Sequence, residues 1–251
     1  MIGHSIKKLF PEGKQDEFDI FAKMIQRGEH IKHKETIRIH KDGHIIPVSI
    51  TISPIINAQG KVIGASTTAR DITQQKLLEQ KLKHLAEHDP LTGLINRTIF
   101  EDRITQAVAI TKRLKSLMAV CYIDLDGFKE INDLYGHVVG DQVLCAATKS
   151  MQEAIRDMDS LARLGGDEFA LILVGIKNER DVIRVVKKML RNFSKGFFIE
   201  NKNLVVTACI GISLYPKESE LSLVEKADAA MYYVKKHGKN NYKFYDDSLD
   251  V

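Results

Sequence analysis

Residues 160–174 read SLARLGGDEFALILV, two short apolar runs on either side of a pair of glycines. Apolar runs of this length, bounded by turn residues, are typical of buried strands, and they predict strands at Leu161–Leu164 and Phe169–Val174. The adjacent glycines permit the positive φ angles of a tight hairpin. Asp167 and Glu168 are therefore predicted to lie at the hairpin tip, where a plain surface turn is the alternative interpretation.

The chain around this hairpin alternates helices and strands. Upstream, Leu117–Asp124 is an apolar run that ends in an acid, and Val138–Arg156 is predicted to be a helix. Downstream we predict a helix at Glu179–Phe193 and a hairpin across residues 201–203, with strands Gly196–Ile199 and Leu204–Ser213. A second helix at Leu221–Lys236 and a closing strand at Lys243–Tyr245 are predicted to follow. This order predicts an α/β fold class, an α+β sandwich of the split-βαβ kind with helices over a mainly antiparallel sheet.

The amino-terminal third has a different pattern. Apolar and polar residues alternate across residues 35–69, with turn residues between the runs, which predicts a three-stranded antiparallel meander after a helix around Glu17–Gln26. At Asp71, a predicted N-cap, the pattern becomes helical, and three leucines follow at coiled-coil spacing: Leu78, Leu82 and Leu85. We expect this seam to pair with a second chain; the alternative is a short linker helix that packs on its own domain.

The amino-acid composition is that of a globular protein without membrane-spanning segments or disulfide bonds. With 28% charged residues, 44% hydrophobic residues and a net charge of +4, the 251-residue chain resembles an ordinary globular protein with a lysine-rich surface, and no nucleic-acid partner is expected. No apolar run approaches the roughly 20 residues of a membrane span. Three widely spaced cysteines in apolar surroundings indicate buried free thiols in a reducing, cytoplasmic compartment: Cys121, Cys145 and Cys209.

Two acidic strand ends are the candidate chemical site. Asp124 and Asp126 end the first apolar strand, and they share a side only if the strand continues through both. One sheet could bring them close to the acids of the hairpin. Clustered carboxylates repel one another unless a cation lies between them, and hard oxygen ligands suit Mg²⁺. Such a pair of strand ends can hold two metal ions for phosphoryl transfer.

The pentapeptide Gly165–Phe169 is the signature of the GGDEF family, the diguanylate cyclases, and the chain resembles this family in four further motifs. These are His88–Arg97, Asp124–Lys129, the residues Asn132-Asp133 with Gly136-His137 and Gly140-Asp141, and Ala227–Tyr232 followed by Lys235 and Gly238–Asn240. The motifs stand in the family's order over residues 86–246. The resemblance implies a fold similar to that of the class III nucleotide cyclases.

The resemblance implies a metal and catalytic set. Asp124 and Asp167 match carboxylate ligands of Mg²⁺, and Leu125 matches a ligand through its backbone carbonyl. Glu168 matches either a further ligand or the group that helps to deprotonate the attacking 3′-hydroxyl, and both alternatives stay open. Two Mg²⁺ ions per active site are implied, for which Mn²⁺ can substitute.

It also implies a GTP-binding set. Asn132 and Asp141 match the residues that read guanine, and an aspartate can accept hydrogen bonds from guanine N1–H and N2–H₂, which adenine lacks. The triphosphate contacts implied are the side chains of Lys235 and Lys239 and the backbone N–H groups near Phe128 and Lys129. Lys239 stands where the family often has arginine. Cys209 stands where serine is common, which we interpret as core packing.

The reaction implied is the condensation of two GTP molecules into cyclic di-GMP with release of pyrophosphate, by two facing domains of a homodimer. Arg156 and Asp159 form an RxxD motif at the end of a predicted helix, and its distance upstream of Gly165 matches the family's inhibitory site for product. The alternative for the motif is a solvated helix end. The alternative for the whole domain is a catalytically silent receptor of cyclic di-GMP.

The amino-terminal residues resemble the second half of a PAS domain, on residues such as Lys41-Asp42-Gly43 and the terminal Arg70–Thr73. We therefore expect three segments. These are a partial PAS-like sensor domain with a truncated antiparallel meander at residues 1–73, a coiled-coil-like linker helix at 74–87 and a GGDEF domain at 88–251. The histidine pairs of this region, His40 with His44 among them, have no thiol or acid cluster in the sequence pattern and are not expected to bind metal.

Overall fold

The structure, a computed structural model, describes residues 2–249, and its contacts divide the chain into two units, Met1–Lys83 and His84–Val251. The first unit contains a helix and three strands: α1 Gln15–Gln26, β1 Ile31–Ile39, β2 Ile45–Ile56 and β3 Val62–Asp71. The strands form an antiparallel sheet in the order β1-β2-β3, which confirms the predicted meander. Phe21 and Ile25 of α1 pack against the apolar side chains of β2.

Helix α2 spans Thr73–Glu87 and so begins one residue before the expected linker helix at 74–87. The Thr73 backbone N–H donates to Asp71 Oδ1 at 2.8 Å, which satisfies one of the free donors of the first helical turn. Three leucines of the predicted seam are each 58% exposed: Leu78, Leu82 and Leu85. Their pairing with a second chain stays a prediction.

The second unit is built on a five-stranded sheet with helices on both faces. Its elements are α3 Arg97–Leu114, β4 Leu117–Asp126, α4 Phe128–Tyr135, α5 His137–Gln152, β5 Ser160–Gly165, β6 Glu168–Ile176, α6 Glu179–Ser194, β7 Phe197–Ile199, β8 Lys202–Leu204, β9 Thr207–Tyr215, α7 Leu223–Lys236 and β10 Asn241–Phe244. The sheet order is β10-β9-β4-β6-β5, antiparallel throughout except for the parallel pair β10-β9. The predicted sandwich with a mainly antiparallel sheet is confirmed.

Alternation along β4 determines which helices face the acidic strand end. Cys121 and Ile123 point into the core that α5 and α6 cover, whereas Val120 and Tyr122 point into the core under α3 and α7. Successive side chains of a strand point to opposite faces of its sheet. Asp124 therefore lies on the side of α3 and α7, and these helices supply its neighbours.

Several elements differ from the sequence prediction. The sequence did not predict helices α3 and α4, and β4 continues two residues further than expected, to Asp126. Helix α5 ends at Gln152 rather than Arg156, because the Asp159 carboxylate offers the Arg156 N–H a partner outside the helix. The expected strand Leu204–Ser213 is divided: β8 pairs only with β7, and β9 joins the main sheet.

In the described part of the chain, no helix combines the length and the hydropathy that a membrane span requires.

Candidate active site

Asp124 and Asp126 share one face at the carboxyl end of β4. The strand runs through both residues, which is the condition for placing them on the same side. Asp124 stands opposite Glu168 of β6 and opposite Cys209 of β9, so its carboxylate lies in the middle of the sheet. It is 4% exposed, and its Oδ2 accepts a hydrogen bond from Lys235 Nζ at 2.7 Å. A buried carboxylate with one cationic neighbour is thus the centre of the site.

The charges around Asp124 are unbalanced. Burial raises the pKa of the Asp124 carboxyl; Lys235 opposes this shift, while the charges of Asp167 and Asp126 add to it. For Lys235, burial acts to lower the pKa, but the hydrogen bond to Asp124 and the charge of Asp167 outweigh it, so the pKa is raised. The Lys235 ammonium thus faces the carboxylates of Asp124, Asp126 and Asp167, an arrangement that favours the entry of a further cation.

The glycine hairpin holds Asp167 against the end of β4. Gly165 and Gly166 have φ angles of 149° and 52°, values that side-chain-bearing residues rarely adopt. The Leu125 backbone N–H donates to the Asp167 carbonyl oxygen at 3.2 Å, which joins the hairpin to β4 outside the regular ladder. Together with the pairing of Asp124 and Glu168, this bond brings three acids to the same end of the neighbouring strands β4 and β6.

A partly buried ion pair between Arg163 and Asp89 supports the hairpin. Arg163 donates from Nε and Nη2 to the Gly166 carbonyl oxygen, at 3.0 and 2.7 Å, and from Nη1 to both carboxylate oxygens of Asp89, at 3.0 and 3.1 Å. Asp89 also accepts hydrogen bonds from the backbone and hydroxyl of Thr92. Asp89 and Thr92 belong to the sequence motif His88–Arg97, for which the sequence suggested no role. Their contacts indicate that this motif positions the hairpin.

Glu168 is oriented by groups that the sequence did not single out. The Tyr122 hydroxyl donates to Glu168 Oε2 at 3.0 Å, and Arg97 Nη2 lies 3.8 Å from the same oxygen. Burial, with the charge of Glu168 adding to it, raises the pKa of Tyr122 to about 12, so this hydroxyl remains a hydrogen-bond donor at neutral pH. Burial and Glu168 also raise the pKa of the Asp228 carboxyl on α7.

Asp126 is fully engaged in holding the neighbouring elements. Its Oδ2 accepts hydrogen bonds from the Thr207 hydroxyl at 2.7 Å and the Asn240 backbone N–H at 3.1 Å. Its Oδ1 accepts one from the Cys209 thiol at 3.0 Å. Cys209 is buried as expected for core packing, but its sulfur also takes part in this network. Asp126 thereby ties β4 to β9 and to the loop after α7.

Helix α4 begins beside the acids, and α5 follows it. Gly127, with φ 78°, turns the chain directly from Asp126 into α4, so the free N–H groups of the first turn, at Phe128 and Lys129, lie next to the strand end. A side chain at Gly140 of α5 would place its Cβ 1.9 Å from Asn132 Oδ1. The absence of that side chain lets Asn132 lie against α5 beside the exposed Asp141.

Comparison with known sequences decides the family. The family model described as "Diguanylate cyclase, GGDEF domain" matches residues 86–241, and a PAS domain model matches residues 1–74. The chain belongs to the GGDEF family.

Similar proteins support this membership. The bifunctional diguanylate cyclase/cyclic di-GMP phosphodiesterase MucR of Pseudomonas aeruginosa is 36% identical over 204 residues, 80% of this chain and 30% of MucR. The diguanylate cyclase TpbB of the same species is 37% identical over 163 residues, 64% of this chain and 38% of TpbB. The chain therefore spans well under half the length of either relative.

Solved structures agree with the fold. The crystallised GGDEF domain of TpbB gives a TM-score of 0.62 at 34% identity, over 63% of this chain and 94% of that domain. The coiled coil and GGDEF domain of DgcB from Caulobacter crescentus, solved in complex with cyclic di-GMP, gives a TM-score of 0.61 at 26% identity, over 69% of this chain and 93% of that one.

The two lysines expected to contact triphosphate occupy different positions in the GGDEF domain. Lys235, on the last turn of α7, forms an ion pair with Asp124, although its own side chain is 42% exposed. Lys239 lies in the turn before β10 with φ 57°, next to Asn240, whose N–H reaches Asp126. Both lysines therefore border the acidic strand end.

The RxxD residues lie at the opposite end of the hairpin strands. Arg156 and Asp159 precede β5, and the Val174 N–H, near the far end of β6, donates to Asp159 Oδ1 at 3.2 Å. The Arg156 N–H donates to Asp159 Oδ2 at 2.9 Å. The motif is a turn rather than the helix end that was predicted, and the Arg156 side chain is exposed. The length of β5 separates this turn from the acids.

Proposed function

We propose that the GGDEF domain is a diguanylate cyclase, which condenses two GTP molecules into cyclic di-GMP and releases two pyrophosphates. The observation that supports this most is the meeting of Asp124, Asp167 and Glu168 around a buried strand end. A structural role alone would not require a carboxylate buried next to other acids, because such a group costs stability unless a cation compensates it.

GGDEF cyclases are generally metal-dependent, and the acids of this domain fit a divalent cation. The proposed ligands are the Asp124 and Asp167 carboxylates, the Leu125 carbonyl and Glu168, all oxygen donors of the kind that Mg²⁺ prefers. Two Mg²⁺ ions are proposed, with Mn²⁺ as a substitute. When bound, the metal supplies charge neutralisation at the reacting phosphate.

The remaining residues would bind and orient GTP. Asn132 and Asp141 are proposed to read the guanine edge, because Asn132 lies against Gly140, the residue that precedes Asp141 on α5. The first N–H groups of α4, at Phe128 and Lys129, point away from the helix end and suit phosphate oxygens. Lys235, released from Asp124 when the carboxylate takes a cation, would join Lys239 at the triphosphate.

The proposed reaction is an in-line displacement at phosphorus. The 3′-oxygen of one GTP forms a bond to the α-phosphorus of the other while the bond to the β-phosphate oxygen breaks, and pyrophosphate leaves. The 3′-hydroxyl proton passes to Glu168 or to solvent. Each domain holds one GTP, so two copies must face each other, and the step occurs twice per product. The protein contributes mainly by positioning.

Incubation of the purified protein with GTP and Mg²⁺, followed by chromatography of the products, tests the proposal. We expect cyclic di-GMP and pyrophosphate from GTP, no cyclic product from ATP, and loss of the reaction when EDTA removes the metal. If the protein binds added cyclic di-GMP yet forms none from GTP, the silent receptor is the correct function.

Product inhibition through Arg156 and Asp159 is the second part of the proposal. We expect Arg156→Ala to keep the initial rate and to lose inhibition, because the exposed guanidinium offers a planar fork to a phosphate or a guanine edge of the product. A hydrogen bond to a charged group contributes about 1.5–3 kcal/mol, so the inhibition constant should rise roughly 10- to 100-fold. Initial rates measured against added cyclic di-GMP give this constant.

Arg113→Ala is the matched control, since Arg113 is an exposed arginine of α3 outside the RxxD turn. It should leave inhibition unchanged. Equal slowing of the Arg156→Ala variant and the parent by cyclic di-GMP would contradict the assignment.

A further inference from the structure

The hairpin between β1 and β2 holds two histidines side by side. The His40 N–H donates to the His44 carbonyl oxygen at 2.8 Å, and the Gly43 N–H donates to the His40 carbonyl oxygen at 2.9 Å. Gly43 has a φ of 88°, as in a common three-residue hairpin loop that places a glycine in the left-handed region. The backbone of this loop is therefore fixed at both ends of the histidine pair.

Three ligand atoms converge above this loop. The imidazole rings of His40 and His44 have centroids 4.6 Å apart, and Asp42 Oδ2 lies 3.1 Å from His40 Nδ1. One nitrogen or oxygen atom from each of His40, Asp42 and His44 lies within 4.8 Å of the other two. The side chains of His40 and Asp42 are 34% and 64% exposed, so an ion can reach them from solvent.

We propose that His40, Asp42 and His44 form a binding site for a divalent first-row transition metal, with Zn²⁺ as the representative ion. Two imidazoles and one carboxylate are ligands that such ions accept, with water in a fourth position. On a tetrahedral Zn²⁺ with bonds of about 2.0–2.1 Å, neighbouring ligand atoms are about 3.3 Å apart. The 3.1 Å between Asp42 Oδ2 and His40 Nδ1 is close to this spacing. Rotation of the exposed His44 side chain would bring its ring nitrogen to a similar distance.

The ligand atoms of this site prefer a different metal ion from the one that the acids of the GGDEF domain prefer. Mg²⁺ prefers oxygen ligands and keeps its waters, so two imidazole nitrogens select against it. The inference is thus independent of the proposed cyclase activity. A plain surface ion pair between Asp42 and a protonated His40 is the competing explanation. That explanation assigns no role to the ring of His44.

A carboxylate in the same unit adds to the attraction for a cation. Asp71, which accepts a hydrogen bond from the Thr73 N–H, pairs with Val48 of β2, and the Ile72 N–H donates to the Pro47 carbonyl oxygen at 3.1 Å. Asp71 therefore lies beside the first residues of β2, the strand that follows His44. A cation bound at the hairpin would lie near the first residues of the helix that follows the sheet.

Calorimetric titration of the full chain with Zn²⁺ tests the site, at neutral pH, without a polyhistidine tag and with Mg²⁺ in excess to occupy the acids. We expect one Zn²⁺ per chain at this site. His40→Ala and His44→Ala each remove a direct ligand of the metal. Loss of a residue that only hydrogen-bonds to a metal ligand typically weakens metal affinity roughly 10- to 100-fold, so each of these variants should lose more Zn²⁺ affinity than that. Asp42→Asn, which removes the charge and keeps the shape, should also weaken it.

His33→Ala is the matched control, because His33 is an exposed histidine of β1 outside the hairpin loop. It should bind Zn²⁺ as the parent does. All three proposed ligands are on an accessible turn, so the thermal transition of every variant should match that of the parent and exclude misfolding. Absence of Zn²⁺ binding by the parent, or unchanged binding by both His40→Ala and His44→Ala, would overturn the proposal.

Discussion

Replacing Asp167 with alanine is expected to abolish formation of cyclic di-GMP while the domain stays folded. The hairpin is positioned by backbone and by Arg163: the Leu125 N–H reaches the Asp167 carbonyl, and Arg163 holds the Gly166 carbonyl. Neither contact uses the Asp167 carboxylate. The substitution therefore removes a proposed metal ligand and retains the geometry around it.

The expected loss is large because metal-derived charge stabilisation is worth several kcal/mol, and each 1.36 kcal/mol is tenfold in rate, so turnover should fall by at least about 10³-fold. Product formation from GTP and Mg²⁺, followed by chromatography, measures it. Asp167→Asn should lose as much, since it keeps the shape and removes the charge.

Asp157→Ala is the matched control: Asp157 is an exposed aspartate in the turn before β5, away from the acids. It should keep the turnover of the parent. A turnover of Asp167→Ala within about threefold of the parent, with an unchanged thermal transition, would remove Asp167 from the transition-state contacts.

The sequence could predict that Asp124 and Asp167 lie at the end of a strand and at a hairpin tip, because both positions depend on short local sequence patterns. The apolar run before Asp124 and the two glycines before Asp167 specify a strand end and a hairpin tip. The same signals carry no information about long-range partners. The bond of Asp89 to Arg163 joins residues 74 positions apart, and no local pattern distinguishes that arginine from an ordinary surface one.

The predicted end of helix α5 was wrong because a side chain competes there with the helical hydrogen bonds. The residues up to Arg156 have helical composition, but the Asp159 carboxylate takes the Arg156 N–H and the helix ends earlier. The sequence pattern alone gives no reason to expect a metal at His40 and His44, because no acid cluster accompanies the pair. Only the closed turn brings the Asp42 carboxylate onto the His40 ring.

Replacing Gly211 with alanine is expected to destabilise the GGDEF domain. We expect the loss in the free energy of unfolding to be larger than for the same replacement at any other glycine of its strands. Gly211 lies in β9 under α7, and a Cβ built there would be 1.9 Å from the Ala227 carbonyl oxygen and 2.2 Å from the Met231 nitrogen. Both atoms belong to helix backbone, so no side-chain rotation relieves the contact. The helix must move away from the sheet.

Overpacking typically costs 1–3 kcal/mol, and a backbone clash belongs at the upper end, so we expect a loss of about 3 kcal/mol or more in the free energy of unfolding. In a unit of this size that corresponds to a fall of at least roughly 6 °C in the Tm. Calorimetry of the full chain measures it as a shift of the transition that GTP or cyclic di-GMP stabilises in the parent.

Gly64→Ala is the matched control, because Gly64 is also a strand glycine but a Cβ there would lie 3.7 Å from Ile55 Cδ1, an ordinary contact. With room for the methyl group, loss of glycine flexibility in the unfolded chain should leave stability equal or raise it by up to about 1 kcal/mol. Helix α7 also carries Lys235 to Asp124, so its displacement should lower GTP turnover in Gly211→Ala alone. A Tm of Gly211→Ala within about 2 °C of the parent would mean that α7 and β9 separate at little cost, and that their close contact does not position Lys235.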